Sequence, residues 1–465
     1  MYNSSENNIY NSFSFGTGQG ATKNGSEGSI IITKSETSSG NIMGMQGGKN
    51  LYNAYANTSD GVNTNVRAVG KINITHNGYG DVIGIRGTNS AGKINNALAY
   101  LNSAVSDAVA EGSIVLSGKG NVYGIYGNGT IANSETQFNK NYNMLKDFSS
   151  HGVIDVTTRS DTAAAYGIYA AGAKDTKTSV YNAMGYNSTG DIKVRNTSGG
   201  SAFGIYSAAQ TYTGDDDVVY YNNTYNAFRS SAIYGDSVAT GNIDMTIEGY
   251  SSLGQQVAGI YAAGNAFNSY ANSGSDVMLE TIGNITINDK SETGNMNLRG
   301  IESNGATIAN AYSTGQNQNT ATKVTGNINV NILATKNGLS TASGIFSDSI
   351  NPQGTKIYNA ALVNDKNNVE GNITVNASSG RAPNRMYGIY ATSYKTGENA
   401  EDAQPKTVYN AYYENGSDVA EGKVRGNINV IAKNATTNSM GEYYGIYVQD
   451  GAAYNAYSSN ANADV

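Results

Sequence analysis

The chain has 465 residues and a formal net charge of −7. It has no cysteine and two histidines, which excludes disulfides, thiolate metal sites and multi-histidine sites. Its acidity provides no basic surface for nucleic acid, and no apolar run approaches the ~18 residues of a membrane-spanning helix. No cofactor is predicted.

Three short motifs recur in a constant order along the chain. The first is Gly-x-Ile followed, after one residue, by Val, Ile, Leu or Met. Its glycines are Gly28, Gly70, Gly112, Gly152, Gly190, Gly241, Gly283, Gly326, Gly371 and Gly426. Their mean spacing is about 44 residues, a period typical of solenoids, propellers and repeat arrays.

The second motif is Gly-Ile-Tyr in its commonest form, and the third is Tyr-Asn-Ala-Tyr in its full form. The aromatic residue that ends the second motif recurs at Tyr126, Tyr169, Tyr206, Tyr261, Phe346, Tyr390 and Tyr447. The asparagine of the third recurs at Asn11, Asn53, Asn96, Asn133, Asn182, Asn226, Asn268, Asn310, Asn359, Asn410 and Asn455. Each motif alternates apolar with small or polar residues, which is the pattern of a β-strand.

These motifs predict an all-β fold, one continuous single-stranded parallel β-helix over residues 1–465. It would have three strands per coil and about ten coils of about 44 residues, each beginning near a first-motif glycine. Equivalent strands of adjacent coils would pair about 4.8 Å apart. A β-propeller is the alternative, but its tight antiparallel hairpins would not easily accommodate the variable spacing between motifs.

Variable spacing also predicts segments inserted into the coils. They are expected near residues 97–110, 134–150, 207–222 and 392–406. The first has leucine and valine at helical spacing, so we predict a short helix or a loop packed against the solenoid.

The recurring asparagines are predicted to form a structural ladder. Asparagine tolerates left-handed backbone geometry at a corner, and amides stacked in register can bond to one another. A polar binding row is the alternative. The aromatic column, if its neighbouring isoleucines point inward, forms an outward stripe. Its rings either stack on sugars or a partner protein, or stack on one another and shield the sheet.

The sequence predicts no catalytic residue and no metal ligand. The densest acidic groups are Asp215–Asp217 and the set Glu398, Glu401 and Asp402, each in a long gap between motifs. They are weak candidates for a calcium site or for the acid–base pair of a polysaccharide lyase or glycosidase. Solvated loops account for them more simply. A carbohydrate-active enzyme on a β-helix is therefore an alternative hypothesis.

The coils resemble the passenger regions of Gram-negative autotransporters, the type V secretion family. The resemblance runs from Ile9 to Tyr457 and includes short sequence motifs such as Gly-Asn-Ile-Thr-Val at Gly371–Val375 and Gly-Ile-Tyr-Ala at Gly388–Ala391. It implies a right-handed parallel β-helix exported to the cell surface, most often a non-enzymatic adhesin. Its partners would be proteins or glycans of a host or a neighbouring cell. The lack of cysteine suits threading through the outer membrane.

Neither end of the chain resembles a capping repeat, which solenoids generally need. We therefore expect either that the chain is a fragment of a longer passenger or that copies stack axially as subunits of an extracellular filament.

Overall fold

The structure is a computed structural model. It describes residues 1–465 except 4–6, 17–21, 36–38, 59–63, 90–91, 103–105, 139–146, 173–178, 209–210, 214–218, 231–236, 251–253, 274–278, 293–295, 316–321, 335–340, 349–353, 365–366, 378–383, 394–404, 415–421, 434–440 and 460–464. Every regular element in the described residues is a β-strand, and none is a helix. The all-β prediction is confirmed. Strands are numbered below in chain order.

Sheet 1 contains the first motif in ten parallel strands. They are β3 (Thr22–Lys34), β6 (Thr64–His76), β9 (Asp107–Gly118), β12 (Phe148–Thr158), β15 (Ser188–Asn196), β20 (Ser237–Ile247), β23 (Leu279–Asp289), β26 (Lys323–Ile332), β29 (Asn368–Ala377) and β32 (Lys423–Ala432). The motif glycines are in register, so that Gly283 lies between Gly241 and Gly326.

Sheet 2 contains the second motif in eleven parallel strands. They are β1 (Tyr2–Asn3), β4 (Ile42–Gly47), β7 (Val82–Gly87), β10 (Val122–Gly127), β13 (Ala165–Ala170), β16 (Ala202–Ser207), β21 (Gln255–Ala262), β24 (Met296–Ser303), β27 (Thr341–Ser347), β30 (Arg385–Thr392) and β33 (Glu442–Gln449). The isoleucines of the motif are in register here too, with Ile260 opposite Ile301.

Sheet 3 contains the third motif, also in eleven parallel strands. They are β2 (Ile9–Gly16), β5 (Leu51–Thr58), β8 (Lys93–Leu101), β11 (Thr130–Phe138), β14 (Ser179–Met184), β19 (Asn223–Ser230), β22 (Asn265–Ser273), β25 (Thr307–Gly315), β28 (Thr355–Val363), β31 (Lys406–Glu414) and β34 (Gly451–Ser458). Each coil therefore runs through sheets 1, 2 and 3 in turn. This confirms the parallel β-helix with three strands per coil, while its right hand stays a prediction.

The inner faces of the three sheets meet in one continuous apolar core. In a central coil, Ile285 of sheet 1, Ile301 of sheet 2 and Ile308 of sheet 3 are fully buried in it. Alternation within each strand sends every second side chain outward. The inward residues of each strand therefore form the core of the solenoid, and the outward residues of the same strands form its surface.

The described residues of the segment near 97–110 contain no helix and belong mostly to strands of the solenoid, while residues 103–105 lie outside the described part. Residues 97–101 belong to β8 and residues 107–110 to β9, and both strands pair with those of adjacent coils. Ala97 and Leu101 are fully buried in a second, alanine-lined core. The prediction was wrong because pairing with neighbouring strands outweighs a weak local preference.

The segment near residues 134–150 is also largely strand. Residues 134–138 end β11 and residues 148–150 begin β12. Phe148 is buried in the alanine-lined core, so this apolar residue belongs to the solenoid and not to an insertion. Residues 139–146 lie outside the described residues.

The two other expected insertions are described only in part. Near residues 207–222, β17 (Thr211–Thr213) and β18 (Val219–Tyr221) form an antiparallel pair outside the three sheets. Of the segment near 392–406, residues 394–404 lie outside the described residues.

Replacing Gly283 by alanine should destabilise the solenoid. A Cβ at this position would lie 2.1 Å from the backbone oxygen of Asn268, a contact that forces the strands of sheets 1 and 3 apart. We expect a loss of at least about 2 kcal/mol, measured as a lower midpoint of thermal unfolding. Gly25→Ala is the control, because nothing lies within 4 Å of its Cβ. Equal effects of the two changes would contradict this account.

Candidate functional site

The motif asparagines form one row of hydrogen bonds along the inner side of sheet 3. The Nδ2 of each donates to the Oδ1 of the next, through ten bonds of 2.8–3.0 Å. The row runs through Asn11, Asn53, Asn96, Asn133, Asn182, Asn226, Asn268, Asn310, Asn359, Asn410 and Asn455. The structure thus brings all of the predicted ladder residues together.

Asn268 shows the full bonding pattern. Besides bonding to Asn310, its Nδ2 donates to the backbone oxygen of Gly283 at 2.8 Å and to that of Asn327 at 3.2 Å. The side chain is fully buried, and a buried amide without partners would cost several kcal/mol. The amide therefore joins sheet 3 to sheet 1 and links its own coil to the coils that follow.

The ladder asparagines do not occupy left-handed corners. Among the described residues, the non-glycine positions with positive φ are Asn187, Asn364 and Asp450, none of which belongs to the ladder. That part of the prediction was wrong, because the amide is required inside the strand for its hydrogen bonds and not for backbone freedom.

Asn268→Asp should be strongly destabilising. The new oxygen would face the three oxygens that now accept bonds from Nδ2, in a buried site. We expect a loss of about 3 kcal/mol or more in the free energy of unfolding. The matched control is Asn73→Asp, an exposed outward residue of sheet 1, for which we expect a change within about 0.5 kcal/mol. Similar thermal midpoints for the two variants would refute the structural role of the ladder.

The predicted aromatic stripe lies on the outer side of sheet 2. Its rings stack with centroids 4.6–5.2 Å apart and planes within 7° of parallel, in two runs. The runs are Tyr126, Tyr169, Tyr206 and Tyr261, and then Phe346, Tyr390 and Tyr447. Glu302 takes the position between them. Within each run, neighbouring rings thus cover one another's faces. This is the predicted alternative in which the rings shield the sheet, and it leaves the covered faces unavailable for stacking on sugars.

The break in the stripe is filled by an ion pair. Arg299 pairs with Glu302, and its guanidinium carbon lies 3.5 Å from the centroid of Phe346. The cation therefore covers a ring face that a further tyrosine would otherwise cover.

A second aromatic column on sheet 2 was not predicted as a column. Tyr123, Tyr166 and Phe203 stack at 4.9 and 5.2 Å. Tyr123 also contacts Tyr126 of the stripe edge-on, with ring planes at 89°. Burial raises the pKa of Tyr166 to about 12.

Sheet 3 carries a further aromatic surface that sequence reasoning missed. The residues on either side of the motif asparagine stack along the axis, as in Tyr181–Tyr225 and Tyr225–Phe267 at 5.2 and 5.1 Å. Phe228 and Tyr270 form a parallel column at 5.5 Å. The two tyrosines of Tyr-Asn-Ala-Tyr were the available signal, since residues at equivalent positions must stack in a solenoid.

The outer side of sheet 1 is polar in its last five strands, and this feature was also missed. The residue after the motif glycine is asparagine in each, and these side chains form a hydrogen-bonded row at 2.8–3.0 Å. The row is Asn242, Asn284, Asn327, Asn372 and Asn427. A second outward column lies beside it and contains Thr286, Asn329, Thr374 and Asn429. We call the two columns the amide field. The signal was the asparagine of Gly-Asn-Ile.

A depression adjoins the amide field on the same face. Its volume is about 270 Å³, and its lining residues are Lys323, Asn368, Val369, Glu370, Lys423 and Arg425. Three of these are cations and one is an anion, and Glu280 of the neighbouring strand pairs with Lys323 at 3.7 Å. The depression therefore keeps a small positive excess, which comes from Lys423 and Arg425, in a chain that is acidic overall.

The predicted acidic candidates cannot be placed. Asp215–Asp217 and the set Glu398, Glu401 and Asp402 lie outside the described residues. Within the described part of the chain, no group of three or more His, Cys, Asp or Glu side chains could hold a metal ion. No helix in that part is long and apolar enough to cross a membrane.

Two cations are buried in the solenoid. Arg229 is fully buried, and its three guanidinium nitrogens have no hydrogen-bond partner among the described residues. Lys406 is 1% exposed, and its Nζ donates to Ser347 Oγ at 2.8 Å. Burial lowers the pKa of Lys406 to about 8. Both sites therefore reduce stability at neutral pH.

Lys406→Met should stabilise the protein at pH 7. Because the folded pKa is about 8 and the ordinary value 10.5, the unfolded chain holds more protons between those values. This group therefore makes wild-type stability rise from about pH 8 to 10.5, and the variant's advantage of about 3 kcal/mol should disappear over that range. Thermal midpoints at pH 7 and 10.5 test this. The exposed Lys71→Met is the control, and a pH-independent difference for Lys406→Met would contradict the assignment.

Comparisons with protein-family models, curated proteins and solved structures find no match for this chain.

Proposed function

We propose that this chain is a non-enzymatic structural or adhesive solenoid displayed on the surface of a Gram-negative bacterium. Its partners would be proteins or glycans of a host or a neighbouring cell. The observation that carries the proposal is that the outer face of sheet 1 carries an in-register column of five asparagines over its last five strands. Such a face offers a similar contact again in successive coils.

Repetition is an advantage in adhesion. Contacts that are weak singly act together when they are held on one scaffold, because each later contact forms at a high effective concentration. The inner asparagine ladder and the isoleucine core keep equivalent residues in register, with coils about 4.8 Å apart. A rigid row of this kind suits a partner that is itself repetitive, such as a polysaccharide.

The proposal also rests on how the recurring residues are used. The motif glycines allow close approach between sheets, the isoleucines fill the core, and the inner asparagines are occupied by one another. The repeat is thus a scaffold, and binding would depend on the outward positions between these residues. The absence of cysteine supports passage of such a chain through two membranes.

The test is binding without turnover. We expect the purified chain to bind saturably to cell surfaces or to members of a glycan array, and to release no new sugar ends from a polysaccharide panel. The variant with Asp216→Asn and Asp217→Asn should bind as the wild type does. Depolymerisation that this variant abolishes would overturn the adhesive proposal in favour of a carbohydrate-active enzyme, and no binding to any cell or glycan would also overturn it.

A further inference from the structure

We propose that the outer face of sheet 1, over its last five strands, binds an extended polysaccharide that carries sparse carboxylates. The sugar hydroxyls would lie on the amide field, and a carboxylate would lie in the adjoining basic depression. This inference rests on the proposed adhesive function and names its ligand class.

The amide field has unused hydrogen-bonding groups. Within the row, Asn284 and Asn327 each donate one amide hydrogen and accept one bond, which leaves one N–H and one oxygen lone pair free. In the second column, the side chains of Asn329, Thr374 and Asn429 make no hydrogen bond to the described residues, although their backbones are paired in the sheet. Donors and acceptors therefore alternate over a flat surface.

This chemistry matches sugar hydroxyls. A hydroxyl both donates and accepts, as an amide does through its two ends. The in-register strands repeat the asparagine of the row in each coil, about 4.8 Å apart, beside a second column in which threonine and asparagine alternate. A ligand that repeats along the axis can therefore bond to several coils at once.

The depression supplies the charge. Lys423 and Arg425 lie on β32, Lys323 lies on β26, and Glu370 lies on β29 between them. Lys323 Nζ also lies 3.7 Å from Glu280 Oε1 on β23, so the positive excess comes from β32. Glu370 accepts a bond of 3.2 Å from Asn372 Nδ2, which joins the depression to the amide field. The guanidinium of Arg425 is exposed and has the planar geometry that pairs with a carboxylate through two parallel bonds.

The surrounding charges favour a sparsely charged chain over a dense polyanion. Asp191 borders the amide field on β15, the preceding strand, and its Oδ1 accepts a bond of 2.7 Å from Asn242. Asp244 lies within the field's first strand, β20, two residues after Asn242. A sulfate on every sugar would meet these carboxylates and Glu370. A chain with occasional carboxylates can place one in the depression and lay uncharged sugars over the amides.

The experiment compares three polymers on the full chain at low ionic strength by isothermal calorimetry. They are partially methyl-esterified polygalacturonate, the fully esterified form with the same backbone, and dextran sulfate. We expect the partially esterified polymer to bind at least tenfold more tightly than the fully esterified form. It should also bind more tightly than dextran sulfate. Added salt should weaken this binding, since the ion pairs are exposed.

Variants locate the site. Lys423→Gln with Arg425→Gln should weaken binding of the partially esterified polymer at least tenfold, with little effect on the fully esterified form. Asn329→Ala with Thr374→Ala should weaken both at least threefold. Lys71→Gln with Lys193→Gln removes the same charge from outward positions elsewhere on sheet 1 and should stay within twofold of wild type. Thermal midpoints establish that each variant is folded.

The inference is wrong if Lys423→Gln with Arg425→Gln leaves the affinity for the partially esterified polymer unchanged. It is wrong if this variant and Lys71→Gln with Lys193→Gln change that affinity equally, or if dextran sulfate binds most tightly of the three polymers. It is also wrong if no polymer binds. In that case, saturable binding to cells or to other glycans would still support the adhesive function. If the chain bound no cell and no glycan, the adhesive function and the polysaccharide site would both be wrong.

Discussion

In-register pairing of equivalent strands is the interaction on which the rest of this structure depends. A single coil can neither satisfy its own strand hydrogen bonds nor bury its inner face, so both needs are met by the coils on either side. A slip of one residue would turn every inward side chain outward. The inner asparagine ladder opposes such a slip, because Asn268 reaches Asn310, Gly283 and Asn327 together only in the observed register.

The same register also shapes the outer surface, with different results on the three sheets. On sheets 2 and 3 the outward aromatics cover one another's faces, as Tyr169 and Tyr206 do at 5.0 Å, so their bulk contributes mainly to shielding the sheets. On sheet 1 the outward amides bond along the axis but keep further donors and acceptors free. The proposed binding of a polar ligand therefore depends on this one face.

A solenoid can also contain unfavourable residues without losing its fold. Arg229 and Lys406 are cations in buried sites, and Glu302 interrupts an aromatic run with the help of Arg299. Because the stability of a repeat protein is close to a sum over coils and their interfaces, each penalty stays with its own coil and the next. Such a scaffold can vary its outward residues widely while the glycine, isoleucine and asparagine positions are kept.

The sequence by itself determined the β-helix, its period and the identity of the ladder asparagines. These properties follow from alternation within short segments and from exact recurrence of glycine, isoleucine and asparagine, which are visible without knowing any contact. Only the tertiary structure decided that residues 97–101 form a strand, that the tyrosine faces are covered, and that Asn284 and Asn327 form an outward row. Each of these depends on contacts between adjacent coils, 43 residues apart for that pair, which no local pattern specifies.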